Sequence, residues 1–187
     1  LVVERLHLAE GKPNPVLVVA PVAFDEVITP YQTGEKAIGG SGTFAALASS
    51  FFAPTRLVGT VGEDFGDEYM EPFRKQGIDL SGLNKVAGKT FFWKGRYYED
   101  FNKRETLQLD LNVMEDFSPE LPDEFAKTPY VCVGAIDPDI QLNTLDALKG
   151  DPYIIVDIID FWVKTKREQF IEVLKRVNLL LINDAEA

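Results

Sequence analysis

Five short apolar runs alternate with helical patterns along this chain, and that alternation constrains its fold more than any other feature. The runs cover residues 16–20, 56–62, 130–134, 153–158 and 179–182. Continuous apolar runs of this length are typical of strands that are covered on both faces, as in parallel sheets. Strands that alternate with helices form βαβ units. The sequence therefore predicts an α/β fold with a doubly wound, mostly parallel sheet.

Three segments between these runs carry helical patterns. Residues 43–52 follow a glycine-rich turn, and residues 65–73 repeat an aromatic side chain every fourth position. Residues 170–177 place apolar side chains at spacings of three, four and seven. Gly77 is expected to follow the second helix as its C-terminal cap. Pro72 would interrupt that helix unless it lies in the first turn.

Two stretches break the α/β pattern. Residues 26–38 are polar and loop-like, and residues 90–111 are rich in aromatic side chains. Leu107, Leu109 and Leu111 then alternate with polar residues, as in an antiparallel strand with one solvated face. We therefore predict a small antiparallel sheet, formed by residues 26–38 and 88–112. It is inserted into an α/β domain that spans residues 16–187, after an N-terminal extension over residues 1–15.

Charge and hydropathy exclude several functional classes. The formal net charge is −11, which argues against binding to nucleic acid or to an anionic membrane. No apolar run approaches the roughly 20 residues that span a bilayer. The first residues mix charges with prolines and do not resemble a signal peptide. We therefore predict a cytoplasmic protein.

The residues around the first strand suggest a site for a polyol. Asp25 follows the first apolar run, and ligands of open α/β sheets bind beyond the carboxyl ends of the strands. Its carboxylate could accept hydrogen bonds from two adjacent hydroxyls, although a solvated loop aspartate is the alternative. Gly39 and Gly40 precede a predicted helix and would let the backbone approach a ligand closely.

A second candidate site follows the last apolar run. Asn183 and Glu186 lie three residues apart, so both could face one side of a helix that starts there. An amide and a carboxylate could together hold the water shell of Mg²⁺. The alternative is a capping box, in which Asn183 and Glu186 close the first turn of the helix.

A dinucleotide site is an alternative interpretation of the glycine-rich turn. Gly40, Gly42 and Ala45 fit the pattern G-x-G-x-x-A, and acidic residues follow about 20 positions later. That pattern needs a buried apolar strand directly before the glycines, whereas the preceding letters are TGEKAI. A nicotinamide-dependent oxidoreductase is therefore the least favoured function.

The order of these motifs resembles the ribokinase-like (PfkB) carbohydrate kinases. It comprises an aspartate after the first strand, a glycine pair before a helix, VGEDFG, an aromatic insert, and INDAE. The resemblance covers residues 16–187. It implies an α/β domain with a β-sheet lid, and transfer of the γ-phosphoryl group of ATP, with Mg²⁺, to a hydroxyl of a sugar or nucleoside.

The resemblance also implies roles for individual residues. Asp25 matches the aspartate that binds substrate hydroxyls, and Gly39 and Gly40 match the glycine pair that lines the sugar pocket. Asn183 and Glu186 match the N-x-x-E motif that influences Mg²⁺ and phosphate. Related kinases commonly pair their lids across a two-fold axis, so we expect a homodimer through the lid.

The chain departs from the family pattern in three places. Phe44 and Ala23 stand where the family has asparagines, which suggests a less hydroxylated or more aromatic substrate than ribose. The G-A-G-D motif, which supplies the anion hole and the catalytic base, does not occur in these 187 residues. The catalytic residues are therefore expected C-terminal to Ala187, in the ATP-binding third that this sequence lacks. The alternative is a catalytically inactive sugar- or nucleoside-binding module.

Overall fold

The computed structural model of this chain describes residues 13–100, 103–184 and 186–187. Most of the N-terminal extension predicted over residues 1–15 lies outside the described residues. The strands are, in chain order, β1 (Val16–Val19), β2 (Ala23–Ile28), β3 (Ala37–Gly39), β4 (Thr55–Gly62), β5 (Asp79–Val86), β6 (Phe91–Tyr97), β7 (Arg104–Asp110), β8 (Tyr130–Val133), β9 (Tyr153–Asp157) and β10 (Leu179–Leu181). The helices are α1 (Ser41–Ser50), α2 (Asp67–Lys75), α3 (Asp123–Ala126), α4 (Pro138–Ala147), α5 (Asp160–Thr165) and α6 (Arg167–Leu174).

The main sheet is parallel, with the strand order β10-β9-β8-β1-β4-β5. Its central strand β1 is buried on both faces. Leu17 and Val19 pack into one apolar cluster, whereas Val18 packs into a second cluster. This arrangement explains why the strand is a continuous apolar run, and it confirms the predicted α/β fold class.

The five strands and three helices expected from the sequence are present, within a few residues at each end. Gly77 follows α2 with a φ of 69°, the left-handed conformation expected of a C-terminal glycine. Pro72 lies inside α2 beyond its first turn, and the helix nevertheless continues to Lys75. Strand β5 was not predicted, because it is an edge strand whose residues are largely exposed and it therefore has no continuous apolar run.

The lid forms a second sheet with the strand order β3-β2-β6-β7. The sequence predicts an antiparallel lid, and β2 pairs antiparallel with β3, as does β6 with β7. The lid is nevertheless a mixed sheet, because β2 and β6 pair in parallel. These strands follow β1 and β5, two parallel strands of the main sheet, so both enter the lid in the same direction. Residues 26–28 and 37–38, which were expected to be loop-like, belong to β2 and β3.

A bulge interrupts the pairing of β6 with β7. Lys94 pairs with Gln108 but Gly95 pairs with Thr106, so Leu107 has no counterpart on β6. A bulge adds one residue to a strand and reverses the face of the residues beyond it. The strict alternation predicted for Leu107, Leu109 and Leu111 is therefore interrupted at Leu107, where the bulge lies. Leu107 is 38% exposed at the bulge.

No helix in the described part of the chain has both the length and the apolar character needed to cross a bilayer.

Candidate functional site

A cavity of about 770 Å³ lies between the lid and the carboxyl ends of the main-sheet strands. The lid contributes residues of β2, β6 and β7 to its wall. The α/β domain contributes the start of α1, the loop after β8, the end of β9, and α5. The cavity occupies the position at which open α/β sheets bind ligands.

Asp25 lines this cavity, although it does not directly follow the first strand as the sequence suggested. Strand β1 ends at Val19, and Asp25 is the third residue of lid strand β2. The carboxylate accepts a hydrogen bond from the backbone N–H of Gly40. Burial raises the pKa of Asp25, and the Gly40 hydrogen bond partly offsets that effect. A half-buried carboxylate held by a backbone donor differs from a solvated loop aspartate.

Neither residue of the predicted glycine pair has room for a side chain, because other atoms lie close to both α-carbons. A Cβ atom on Gly39 would collide with the carboxylate of Asp25. Gly40 has φ 85° and ψ 149°, a conformation restricted almost entirely to glycine, and a Cβ there would collide with the carbonyl oxygen of Pro21. Gly40 is also the N-terminal cap of α1, so Phe44 lies one turn into that helix. Phe44 lines the same cavity and is 62% exposed.

The strand that precedes the glycines argues against a dinucleotide site. Gly40 follows β3, which pairs antiparallel with β2 in the lid. A dinucleotide fingerprint requires a parallel strand of the main sheet at that point. Gly39 therefore leaves space for the Asp25 carboxylate, and Gly40 lets the backbone pass close to Pro21.

Asn183 and Glu186 form a reciprocal capping box. The N–H of Asn183 donates to Oε2 of Glu186 at 3.0 Å, and the N–H of Glu186 donates to Oδ1 of Asn183 at 3.1 Å. The side chain of Glu186 is only 5% exposed, and its Oε1 lies 3.6 Å from Nη2 of Arg104 on the lid. Within residues 13–100, 103–184 and 186–187, no group of three or more His, Cys, Asp or Glu side chains could hold a metal ion.

Asp157 joins this region and was not predicted from the sequence. It ends strand β9 and lines the cavity. Burial raises its pKa to about 6; the Ile158 N–H opposes that rise, the charge of Glu186 adds to it, and Arg104 opposes it. The sequence signal that could have identified Asp157 as a site residue is its position at the carboxyl end of a buried strand. The negative charges of Asp157 and Glu186 repel each other. Because carboxylate oxygens are hard donors, a Mg²⁺ ion with its water shell would suit this pair.

The raised pKa predicts how stability depends on pH. The protonated Asp157 carboxyl stabilises the fold fully below pH 3.8, and this contribution is lost as pH rises through about 6. Asp157→Asn should therefore raise the free energy of unfolding by about 1 kcal/mol at pH 8, after allowance for partial exposure, and by nothing at pH 4. Urea denaturation at both pH values measures this, with exposed Asp151→Asn as the control. A difference that does not change with pH would contradict it.

The two ends of the lid are tied to the main sheet through Thr90. Its hydroxyl donates to Oδ1 of Asp64 at 2.6 Å and accepts from the N–H of Gly62 at 3.0 Å. Its N–H also donates to Asp64, at 2.8 Å, and its carbonyl accepts from Asn112 at 3.0 Å. Asp64 belongs to the VGEDFG motif, so that motif anchors the lid where β6 begins and β7 has ended.

Loss of the Thr90 hydroxyl should weaken this anchor. Thr90→Val keeps the shape of the side chain but leaves the buried Gly62 N–H without its acceptor. We expect the free energy of unfolding to fall by about 1.5 kcal/mol. Urea denaturation measures the change, and Thr165→Val, at an exposed position, is the control. An unchanged stability would show that the hydroxyl is not part of the anchor.

Comparisons with known proteins identify the fold. No family model matches the chain, and no curated protein matches it in sequence. The fold is similar to that of a nucleoside kinase from Methanocaldococcus jannaschii, described as an archaeal member of the ribokinase family, with a TM-score of 0.74 and 18% identity over 95% of this chain and 63% of that chain. A Burkholderia thailandensis nucleoside kinase in complex with inosine has a TM-score of 0.73 and 15% identity over 92% of this chain and 61% of that chain.

A ribokinase from Cryptococcus neoformans in complex with ADP is also similar. Its TM-score is 0.69, with 19% identity over 93% of this chain and 58% of that chain. The chain therefore spans about three fifths of the length of these structures. At such identities the likeness shows the fold, and it agrees with the resemblance found in the sequence.

Proposed function

Starting from the ribokinase-like fold of this chain, we propose that it carries the acceptor site and lid of an ATP-dependent phosphotransferase. The acceptor would be a hydroxyl of a sugar or nucleoside. The observation that carries the proposal is Asp25, whose carboxylate is held over Gly39 by the Gly40 N–H at the cavity wall. The ADP and inosine named for two similar structures support ATP and a nucleoside or sugar as ligands.

Phosphoryl transfer requires positioning of the acceptor and exclusion of water more than covalent chemistry from the protein. Asp25 would accept hydrogen bonds from acceptor hydroxyls and orient the attacking oxygen. Trp93 and Leu109 on the lid would cover the acceptor and keep out water that could otherwise attack ATP. A bound Mg²⁺ would neutralise phosphate charge. We propose that Asn183 and Glu186 organise its water shell.

The catalytic base and the phosphate cradle would lie C-terminal to Ala187, since no G-A-G-D motif occurs in the sequence. The 187-residue chain should therefore bind an acceptor but release no ADP from ATP and Mg²⁺. Calorimetry with inosine or ribose tests the first half of this prediction, acceptor binding. A coupled ADP assay tests the second half, the absence of ADP release. ADP release stimulated by either acceptor would contradict the second half, and absence of acceptor binding would contradict the first.

A catalytically inactive binding module is the second candidate function. Phe44 favours it, because an exposed phenyl ring stands at a cavity position where the family has an asparagine that contacts sugar hydroxyls. Such a module would bind the acceptor without nucleotide. ADP release that an acceptor stimulates, measured on a chain extended beyond Ala187, would argue for the kinase.

We further propose a cytoplasmic homodimer in which two lids meet across a two-fold axis. The lid has exposed apolar side chains, including Tyr98 and Leu107. A small sheet needs cover for such a surface. Leu107→Glu should convert a dimer at micromolar concentration into a monomer, as measured by light scattering, whereas Val86→Glu should not. A monomeric wild-type protein would contradict the proposal.

A further inference from the structure

Asp25 has an aromatic neighbour on the adjacent lid strand. In the parallel pairing of β2 with β6, Asp25 is directly opposite Trp93, and Trp93 is opposite Leu109 on β7. All three side chains line the cavity. The carboxylate that would hold hydroxyls therefore lies beside an indole ring and an isobutyl group. Such a row suits a ligand that has a polar part and a flat apolar part.

The indole of Trp93 is held in one position. Its Nε1 donates to Oγ1 of Thr106 at 3.1 Å. The ring lies over Gly95, where a Cβ atom would collide with it. Tyr97 presents an edge, with ring centroids 6.4 Å apart and an interplanar angle of 74°. A ring that is already fixed loses little rotamer freedom when a ligand stacks on it.

Aromatic side chains from two other elements line the same cavity. Phe161 and Trp162 of α5 lie with ring centroids 4.8 Å apart, and Phe161 is 42% exposed. Phe44 of α1 adds a third ring system. Phe44 is more than 100 positions from Phe161 and Trp162 in the sequence, so only the tertiary structure brings these rings into one cavity.

The charges of the cavity wall oppose an anionic ligand. Among the described residues, the acidic side chains of the wall are Asp25, Glu115, Asp137, Asp157 and Asp160, and the basic ones are Arg104 and Lys164. Both basic side chains already have acidic partners. Arg104 lies 3.6 Å from Glu186, and Lys164 lies 2.8 Å from Asp160. A phosphate or carboxylate group on the ligand would enter a negative field without an available cation.

We propose that the acceptor carries an uncharged aromatic ring, which stacks on Trp93 while its hydroxyls bind Asp25, and that acceptors bearing phosphate or carboxylate are excluded. Trp93 is thus the residue that determines specificity. This inference rests on the proposed function, because it assigns the acceptor class of the same site.

Three probes separate the contributions of the aromatic ring, the hydroxyls and a phosphate group to the affinity. Inosine has an aromatic ring and hydroxyls, ribose lacks the ring, and inosine 5′-monophosphate adds a phosphate. We expect calorimetry on the 187-residue chain to give affinities about tenfold or more higher for inosine than for either other probe. The chain has only two tryptophans, and both line the cavity, so ligand-induced changes in fluorescence provide a second measurement on the wild-type protein.

Variants assign the effect to Trp93. Trp93→Leu should reduce the affinity for inosine about tenfold and that for ribose far less, because ribose has no ring to stack on the indole. Thr106→Val, which releases the indole, should act in the same direction. Phe52→Leu removes an exposed phenyl ring outside the cavity wall and should change neither affinity. Retained ribose binding shows that a variant is folded.

The outcomes distinguish the inference from the function on which it rests. Equal affinities for inosine and ribose, or inosine binding unaffected by Trp93→Leu, would overturn the aromatic part. Monophosphate binding as tight as that of inosine would overturn the exclusion of anions. If Asp25→Ala weakens ribose binding in the same experiments, the proposed function stands even when the aromatic part fails. Binding of none of the three probes would overturn both.

Discussion

Gly40→Ala should lower the free energy of unfolding by about 4 kcal/mol. A residue with φ 85° and ψ 149° costs about 1–3 kcal/mol when it is not glycine. The new Cβ would also collide with the carbonyl oxygen of Pro21 and come within 3.0 Å of the Ala23 nitrogen. These are backbone atoms of the segment after β1 and of the first residue of β2, so relief of the collision requires a shift of the chain that carries Asp25. Losses of this size are exceptional for one substitution.

The chain offers a matched control for this prediction. Gly150 has nearly the same φ, 84°, but its added Cβ would meet no atom within 4 Å. Gly150→Ala should therefore cost about 1 kcal/mol, from backbone strain alone. Urea denaturation followed by circular dichroism measures both variants. Equal losses would show that the approach of Gly40 to Pro21 relaxes without cost.

Asp25→Ala should raise the dissociation constant of the acceptor about 5- to 150-fold. This range corresponds to the 1–3 kcal/mol associated with a lost charged hydrogen bond. Calorimetry with ribose or inosine on the 187-residue chain measures it. Asp25→Asn keeps one acceptor oxygen and should lose less affinity than the alanine variant.

The neighbouring carboxylate supplies the control for Asp25. Glu26 is the next residue on β2 and pairs with Lys94 at 2.6 Å, without lining the cavity. Glu26→Ala should leave the affinity for the acceptor unchanged. If Asp25→Ala also leaves it unchanged, Asp25 is not part of the acceptor site and the proposed function loses its main support.

Features that depend on neighbours in sequence were predictable. The two-faced burial of β1 follows from its unbroken apolar run, and the capping box of Asn183 and Glu186 follows from their spacing of three. Gly77 takes its left-handed conformation at the end of α2, as its position indicated. The capping-box hydrogen bonds join residues three positions apart. The burial of β1 involves distant residues, but the apolar side chains of the strand itself indicate it.

The site's assembly depended on contacts between residues far apart in sequence. Burial raises the pKa of Asp157, the charge of Glu186 adds to that rise, and the charge of Arg104 opposes it. Glu186 and Arg104 belong to segments far from Asp157 in the sequence. The partnership of Asp25 with Trp93 requires the parallel pairing of β2 with β6, which no local periodicity indicates.

The bulge near Gly95 marks the limit of sequence patterns most clearly. The alternation of residues 107–111 is a property of the sequence, but the face that each side chain takes depends on the partner strand. One unpaired residue reverses that face, because side chains alternate with a period of two. The sequence thus determined the five apolar strands of the main sheet, the end of α2 at Gly77 and the glycines near Asp25. Only the tertiary structure decided which of these residues share one cavity, since that depends on which surfaces meet.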